Sequence, residues 1–272
     1  MGALMAAHTR LHNLITRLGV LAITVAFVPT PVADALPEGS ADHFAGSQIA
    51  KHEGGDRTAR LRPEGSVPGM DVSSHQGDVD WAGAWADGAR FAYVKATEGT
   101  GYRNPHFAQQ YNGSYDVGMI RGAYHFALPD RSDGAAQADF FAANGGGWWR
   151  DGRTLPGAVD LEYNPYGDTC YGLSQAAMGE WVRTFSDRFV QRTGRHPTIY
   201  TSTSWWNRCV GEADRFGDTS PLWVAHYADE LGPLPHGWDY QTIWQWQAAG
   251  LFPGDQNLFN GNDEQLLRVA LG

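Results

Sequence analysis

From Val67 onward the chain repeats one pattern: a largely apolar run of six to nine residues, then a longer amphipathic or turn-rich stretch. "VPGMDVS" (67–73), "RFAYVKA" (90–96), "MIRGAYHFA" (119–127), "GAVDLEY" (157–163) and "PTIYTS" (197–202) read as strands, and "LWVAHY" (222–227) and "TIWQWQ" (242–247) add two more. Helical periodicity lies between the early ones, at Trp81–Asp87, Pro105–Val117, Gly134–Asn144 and Ser174–Thr193. The last of these carries Ser174 as N-cap and apolar residues at Met178, Trp181, Val182, Phe185 and Phe189. Strands alternating with helices at this spacing build parallel βαβ units. So many strands in roughly 200 residues exceed what an open doubly wound sheet usually carries, which favours a closed barrel. Long helices are missing between the later strands. The expectation is therefore an α/β fold, a modified and flattened or incomplete β/α barrel, regular in its first half.

The residues before Val67 do not share the pattern. Arg10 and Arg17 lie ahead of the apolar run Leu18–Val28, and Ala33-Asp34-Ala35 supplies the small residues a signal peptidase reads. The eleven-residue run is too short to span a bilayer as a helix. Residues 1–35 are thus expected to be a signal peptide, 36–66 a polar, disordered or loosely attached arm, and 67–272 a single catalytic barrel. The product would be secreted and extracellular, free of the membrane after cleavage. In that oxidising setting Cys170 and Cys209, the two cysteines of the chain, are expected to form one disulfide.

A formal net charge of −10 argues against nucleic acid, which demands a concentrated basic footprint. It also predicts no electrostatic attraction to an anionic membrane or wall polymer, so any such target must be held by neutral hydrogen bonding and stacking. Eleven Trp and eleven Tyr, rings with a polar end that suits clefts as well as cores, fit that kind of contact.

In a β/α barrel the chemistry sits at the C-terminal ends of the strands. Those ends offer Asp71 and Ser73, then Lys95 and Glu98, then Tyr124, His125 and Phe126, then Asp160 and Glu162. Tyr200, Trp223 with His226, and Gln245 with Trp246 complete the rim. No Gly-rich phosphate loop, metal-ligand cluster or nucleophile elbow occurs there, so no cofactor or metal is expected. Asp160 and Glu162 stand two residues apart in "GAVDLEYNP", and residues i and i+2 of a strand share a face. Both carboxylates would point inward while Val159, Leu161 and Tyr163 face the helices. Two acids this close push one pKa up, leaving one protonated acid beside one anion. Glycosidic bond cleavage requires that division. The competing reading of the pair is a buried ion pair with Lys95 or Arg121.

Taken in order, "GMDVSSHQGDVDW" (69–81), "YVKATEGTGYRNPHF" (93–107), "GAYHF" (122–126), "VDLEYN" (159–164), "PTIYTSTSWW" (197–206), "LWVAHY", "IWQWQ" and "DQNLFNG" (255–261) closely resemble the lysozymes of glycoside hydrolase family 25. The resemblance spans about residues 67–271. It implies a modified β/α barrel of about five α/β units followed by a more antiparallel part. It also implies N-acetylmuramidase activity on bacterial peptidoglycan, at the β-1,4 bond after N-acetylmuramic acid. Carried onto this chain, Glu162 matches the general acid, Asp160 the second acid of the strand, Asp71 the acid of the first strand and Asp255 the fourth acidic position. Tyr124, Phe126, Tyr200 and Trp223 match positions that line the groove. Lys95 and Glu98 are read as an ion pair ordering the rim, and His75 and His226 as ordinary histidines.

Two rivals are weaker. A chitinase or other endo-N-acetylglucosaminidase would show a DxxDxDxE strand, but Pro156, Gly157, Ala158 and Val159 precede Asp160. A silent glycan-binding protein on this scaffold would be expected to have lost an acid, and all four are present. A polymer-degrading groove suits a monomer.

Overall fold

A short helix, α1 (Ser47–Glu53), precedes the first strand of the barrel. From there the elements run β1 (Val67–Val72), α2 (Trp81–Ala86), β2 (Phe91–Glu98), β3 (Tyr102–Arg103), α3 (Phe107–Asp116), β4 (Ile120–Phe126), α4 (Gly134–Ala143) and β5 (Ala158–Asp160). They continue with α5 (Gln175–Thr193), β6 (Thr198–Ser202), α6 (Thr203–Cys209), β7 (Leu222–Ala225), β8 (Ile243–Gln247), β9 (Asp255–Phe259) and α7 (Asp263–Leu271). This computed structural model describes residues 43–55, 66–213 and 215–272, so the expected signal peptide lies outside the described residues.

The sheet order is β1-β9-β8-β7-β6-β5-β4-β2, closed into an eight-stranded barrel by pairing of β1 with β2. The little β3 pairs antiparallel with the C-terminal end of β2. Five helix-bearing crossovers, through α2 to α6, link parallel strands from β1 to β7. β8 then adds parallel to β7, while β9 runs antiparallel to both β8 and β1. The expected five units and more antiparallel remainder are thus present, and the barrel is complete. β9, which the sequence pattern does not mark as a strand, fills the place between β8 and β1.

Local chemistry accounts for these elements. Ser174 caps α5 by accepting from the Ala177 amide at 3.3 Å, and Gly194 ends it at φ 76°, a left-handed conformation that glycine adopts without a Cβ clash. Phe189 of α5 stacks on Phe141 of α4 and on Phe185 of its own helix. The two helices approach so closely at Gly134 that a Cβ there would lie 2.6 Å from the Phe185 nitrogen. Where β7 and β8 lack a crossover helix, the connecting loop covers the sheet instead: Leu231, Leu234 and Trp238 pack on Leu222, Val224, Trp244, Trp246 and Leu258. Strand alternation therefore sends Gln245 inward and Trp246 outward.

His125 also faces out rather than joining the rim. It bonds Thr97 at 2.8 Å and Gln137 of α4 at 2.9 Å, and burial holds its pKa down to about 4, so it is neutral. Cys170 and Cys209 form the expected disulfide, tying the β5–α5 connection to the end of α6 across a Cα–Cα distance of 5.3 Å. Closing a loop between residues 39 apart in sequence restricts the unfolded chain by about 4 kcal/mol on the chain-entropy model.

The arm differs from expectation. Residues 43–55, within the stretch read as loosely attached, are ordered against the barrel, with Ala45 and Ile49 at 0% and 1% exposure. Low hydrophobicity predicts disorder when a segment must build its own core; this one borrows the core of its neighbour.

Candidate active site

The barrel interior is filled from the floor upward by rings. Trp223 is stacked by Tyr93 at 4.7 Å between centroids and met edge-on by Tyr200 at 4.6 Å and Tyr124 at 6.2 Å. The floor admits such bulk because Gly69 and Gly122 leave space for the Phe91 and Tyr93 rings, onto which a Cβ at either glycine would project. The Trp223 indole N–H donates to Asn257 at 2.8 Å, and the Tyr200 hydroxyl donates to Gln245 at 2.7 Å. Of the four residues expected to line a groove, Tyr124, Phe126, Tyr200 and Trp223, all are buried.

Above this floor stand the acids. β1 and β9 place Asp71 directly opposite Asp255 in register. Asp71 accepts from Gln245 Nε2 at 2.8 Å and Asn257 Nδ2 at 2.7 Å. Burial nonetheless raises its pKa to about 7 against those two donors. Asp160 ends β5, and neither of its carboxyl oxygens has a hydrogen-bond partner among the described residues although the residue is fully buried. Burial, and then the neighbouring Glu162 charge, drives its pKa well up, with Lys95 pulling the other way.

Glu162 lies beyond the strand, which is shorter than the sequence suggested. The backbone stays in line because the Leu161 amide still donates to the Tyr200 carbonyl at 2.9 Å, so Glu162 remains on the inner side. Tyr163 faces α1 rather than the outer helices: its hydroxyl reaches Glu53 at 2.9 Å and its ring stacks on His52 at 4.3 Å. Burial raises Glu162 to about 8, although three backbone amides favour its anion.

The expected ion pair is present and wholly buried: Lys95 Nζ lies 2.7 Å from Glu98, whose other oxygen accepts from the Tyr166 hydroxyl at 2.7 Å. Lys95 is thus the cation nearest the carboxylate group, while Arg121 bonds Thr154 and the Arg153 carbonyl. The roles of Gln245 and Asn257 in holding Asp71 were not anticipated. Strand alternation through "IWQWQ" and "DQNLF" would have placed both inward. Tyr227, which donates to Gln245 at 2.7 Å, had no such signal.

The raised carboxyl groups have a consequence for stability. In the folded state Glu162 holds its proton up to about 8 instead of 4.5, and Asp71 up to about 7 instead of 3.8. The folded protein therefore binds more protons than the unfolded chain across that interval, and stability declines as pH rises through it. The melting temperature is expected to fall between pH 4.5 and about 8, and Glu162→Gln to flatten the slope in scanning calorimetry. A slope unchanged by that substitution would contradict the assignment.

A cleft of about 470 Å³ opens at the opposite end of the barrel, around Leu222, Thr242 and Arg268. Its lining contains one acid, Asp218, and none of the groups above. The chemistry is at the strand C-termini.

Residues 70–255 match the family model described as glycosyl hydrolases family 25. The chain belongs to this family. It is 43% identical to Lysozyme M1 of Streptomyces globisporus over 95% of this chain and 90% of that one. It is 49% identical to an N,O-diacetylmuramidase of Chalaropsis sp, over 76% of this chain and 100% of the relative. Among solved structures, the family GH25 lysozyme of Aspergillus fumigatus superposes with a TM-score of 0.75 at 48% identity, covering 76% of this chain and all of its own (100%). This family 25 hydrolase is accordingly a glycosidase with muramidase activity, and its substrate is peptidoglycan. No helix among its described residues is long and apolar enough to cross a membrane.

Proposed function

We propose that the enzyme is a secreted, monomeric lysozyme that cleaves the β-1,4 bond between N-acetylmuramic acid and N-acetylglucosamine, with Glu162 as general acid. The observation that carries this reading is the pairing of a carboxyl held protonated to about 8 with a second, hydrogen-bond-free carboxyl two residues away. Glu162 donates its proton to the leaving glycosidic oxygen. The carbonyl oxygen of the 2-acetamido group attacks the anomeric carbon as the C–O bond breaks, giving a cyclic oxazoline-type intermediate. Asp160, whose oxygens have no hydrogen-bond partner among the described residues, accepts from the acetamido N–H and orients that group for attack. Water then opens the intermediate and returns a proton to Glu162. Asp71, fixed by Gln245 and Asn257, and Asp255 opposite it complete the set of acids at the mouth. The relatives named N,O-diacetylmuramidase extend the proposed substrates to muramic acid carrying an O-acetyl group.

The test is prolonged incubation of excess enzyme with peptidoglycan, followed by identification of the new reducing ends. Muramic acid ends, with release blocked by a thiazoline-type analogue, are the expected result. Glucosamine ends would overturn the bond assignment, and an analogue that binds equally well to Asp160→Asn would overturn the role of Asp160.

A further inference from the structure

Glycosidic cleavage needs the substrate oxygen within hydrogen-bond reach of the acid. In this protein that space is taken. Glu162 Oε1 accepts from the Gly46 amide at 3.0 Å, and Oε2 from the Gln48 and Ile49 amides at 3.1 and 2.9 Å. The same short segment occupies the surrounding groups one after another. Lys95 Nζ donates to the His43 carbonyl. The Ala45 amide donates to the Tyr124 hydroxyl at 3.3 Å, and Gln245 Nε2 to the Ala45 carbonyl at 3.2 Å. The Phe44 ring stacks on His75 at 5.2 Å, and Glu53 receives the hydroxyls of Tyr163 and Ser202. With the segment in place, Asp160 and Glu162 are both 0% exposed.

We propose that residues 43–55 are an intramolecular inhibitor that fills the substrate groove and keeps the enzyme latent until the segment is released. This rests on the muramidase reading of the site and adds its regulation. The segment uses backbone amides and carbonyls for most of its polar contacts with the mouth, the same donor and acceptor types that an acetamido sugar presents. Its hold is specific at one point: Gly46 has φ 92°, and a Cβ there would lie 2.7 Å from Gln245 Oε1 and 2.9 Å from Tyr200 Oη, and would run into Tyr227 Oη. Only glycine fits, in conformation and in space. About a quarter of this chain falls outside the matches to the fungal relatives, which cover 76% of it and all (100%) of themselves. The Chalaropsis relative thus corresponds to a part of this chain about the size of the barrel.

The test compares the intact chain, Gly46→Val, and an intact chain carrying a unique protease recognition sequence inserted after Gly55, before and after cutting. Turnover of peptidoglycan and binding of a soluble peptidoglycan fragment are measured for each. A segment seated in nine of ten molecules leaves one in ten open, so release raises both readouts by about tenfold, and by more if the seat is tighter. A synthetic peptide of residues 43–55, added back to the cut enzyme, should compete with substrate, and the same peptide carrying Gly46→Val should not. Cutting after Gly55 changes no residue of the segment or of the barrel, so it decides the matter even if Gly46→Val folds poorly. Equal binding and turnover before and after cutting would overturn the proposal, as would a peptide that does not inhibit. A gain in fragment binding without new reducing ends would uphold the inhibitor and overturn the chemistry assigned to Glu162.

Discussion

Glu162→Gln, made in the Gly46→Val background so that the groove is open, should lower the release of muramic acid ends by about 10²–10⁴-fold, the usual contribution of a general acid. Glutamine keeps the shape and hydrogen-bonding reach of the side chain but has no proton acidic enough to give the leaving oxygen. Binding of a soluble peptidoglycan fragment, measured by calorimetry, should remain within a few-fold of the parent. Loss of turnover without loss of binding is the signature of a group that acts only in the transition state. Turnover equal to that of the parent would remove Glu162 from the chemistry. Burial raises both pKa values, the Glu162 charge adds to the rise at Asp160, and a carboxyl that stays protonated at neutral pH is what a leaving alkoxide requires.

Lys95→Met should be the most damaging single change to stability outside the rings of the floor. Lys95 and Glu98 are both 0% exposed and 2.7 Å apart, so removing the cation leaves a buried carboxylate with the Tyr166 hydroxyl as its remaining side-chain donor. Breaking one partner of a buried pair costs about 3–5 kcal/mol. The double variant Lys95→Met/Glu98→Gln should recover most of that loss, because the amide oxygen still accepts from Tyr166 and no charge is stranded. Urea denaturation followed by tryptophan fluorescence measures both. A single variant within about 1 kcal/mol of the parent would show that the pair carries little stability. The double variant also removes the nearest cation from Asp160, so its carboxyl should titrate higher still.

Much of this architecture is legible in the chain. The alternation of apolar runs with amphipathic stretches placed α2, α3, α4 and α5 to within about two residues, because helix and strand periods and caps are local properties. The two cysteines and the Lys95–Glu98 pair followed from residue type and compartment, and the order of motifs was specific enough to imply the family. Less visible was anything that depends on a partner distant in sequence. Strand β5 stops at Asp160 although its apolar pattern continues, and Glu162 keeps its place through the Tyr200 carbonyl of the next strand. β9 runs antiparallel because the short connection after β8 cannot form a crossover, but its pairing with β1 on the other side is encoded by no local pattern.

The sequence by itself therefore determined the barrel class, the inward face of Asp160 and the chemistry that two adjacent acids imply. Tertiary structure alone decided the environment of those acids. Asp71 is held by amides contributed from β8 and β9, and Glu162 by amides from a segment more than a hundred residues away. Residues 43–55 look too polar to fold, and on their own they lack a core. They order because Ala45 and Ile49 enter the apolar rim and because the carboxylate, lysine and glutamine of the mouth satisfy their backbone groups. Burial and hydrogen bonding of this kind arise only when distant parts of a chain meet.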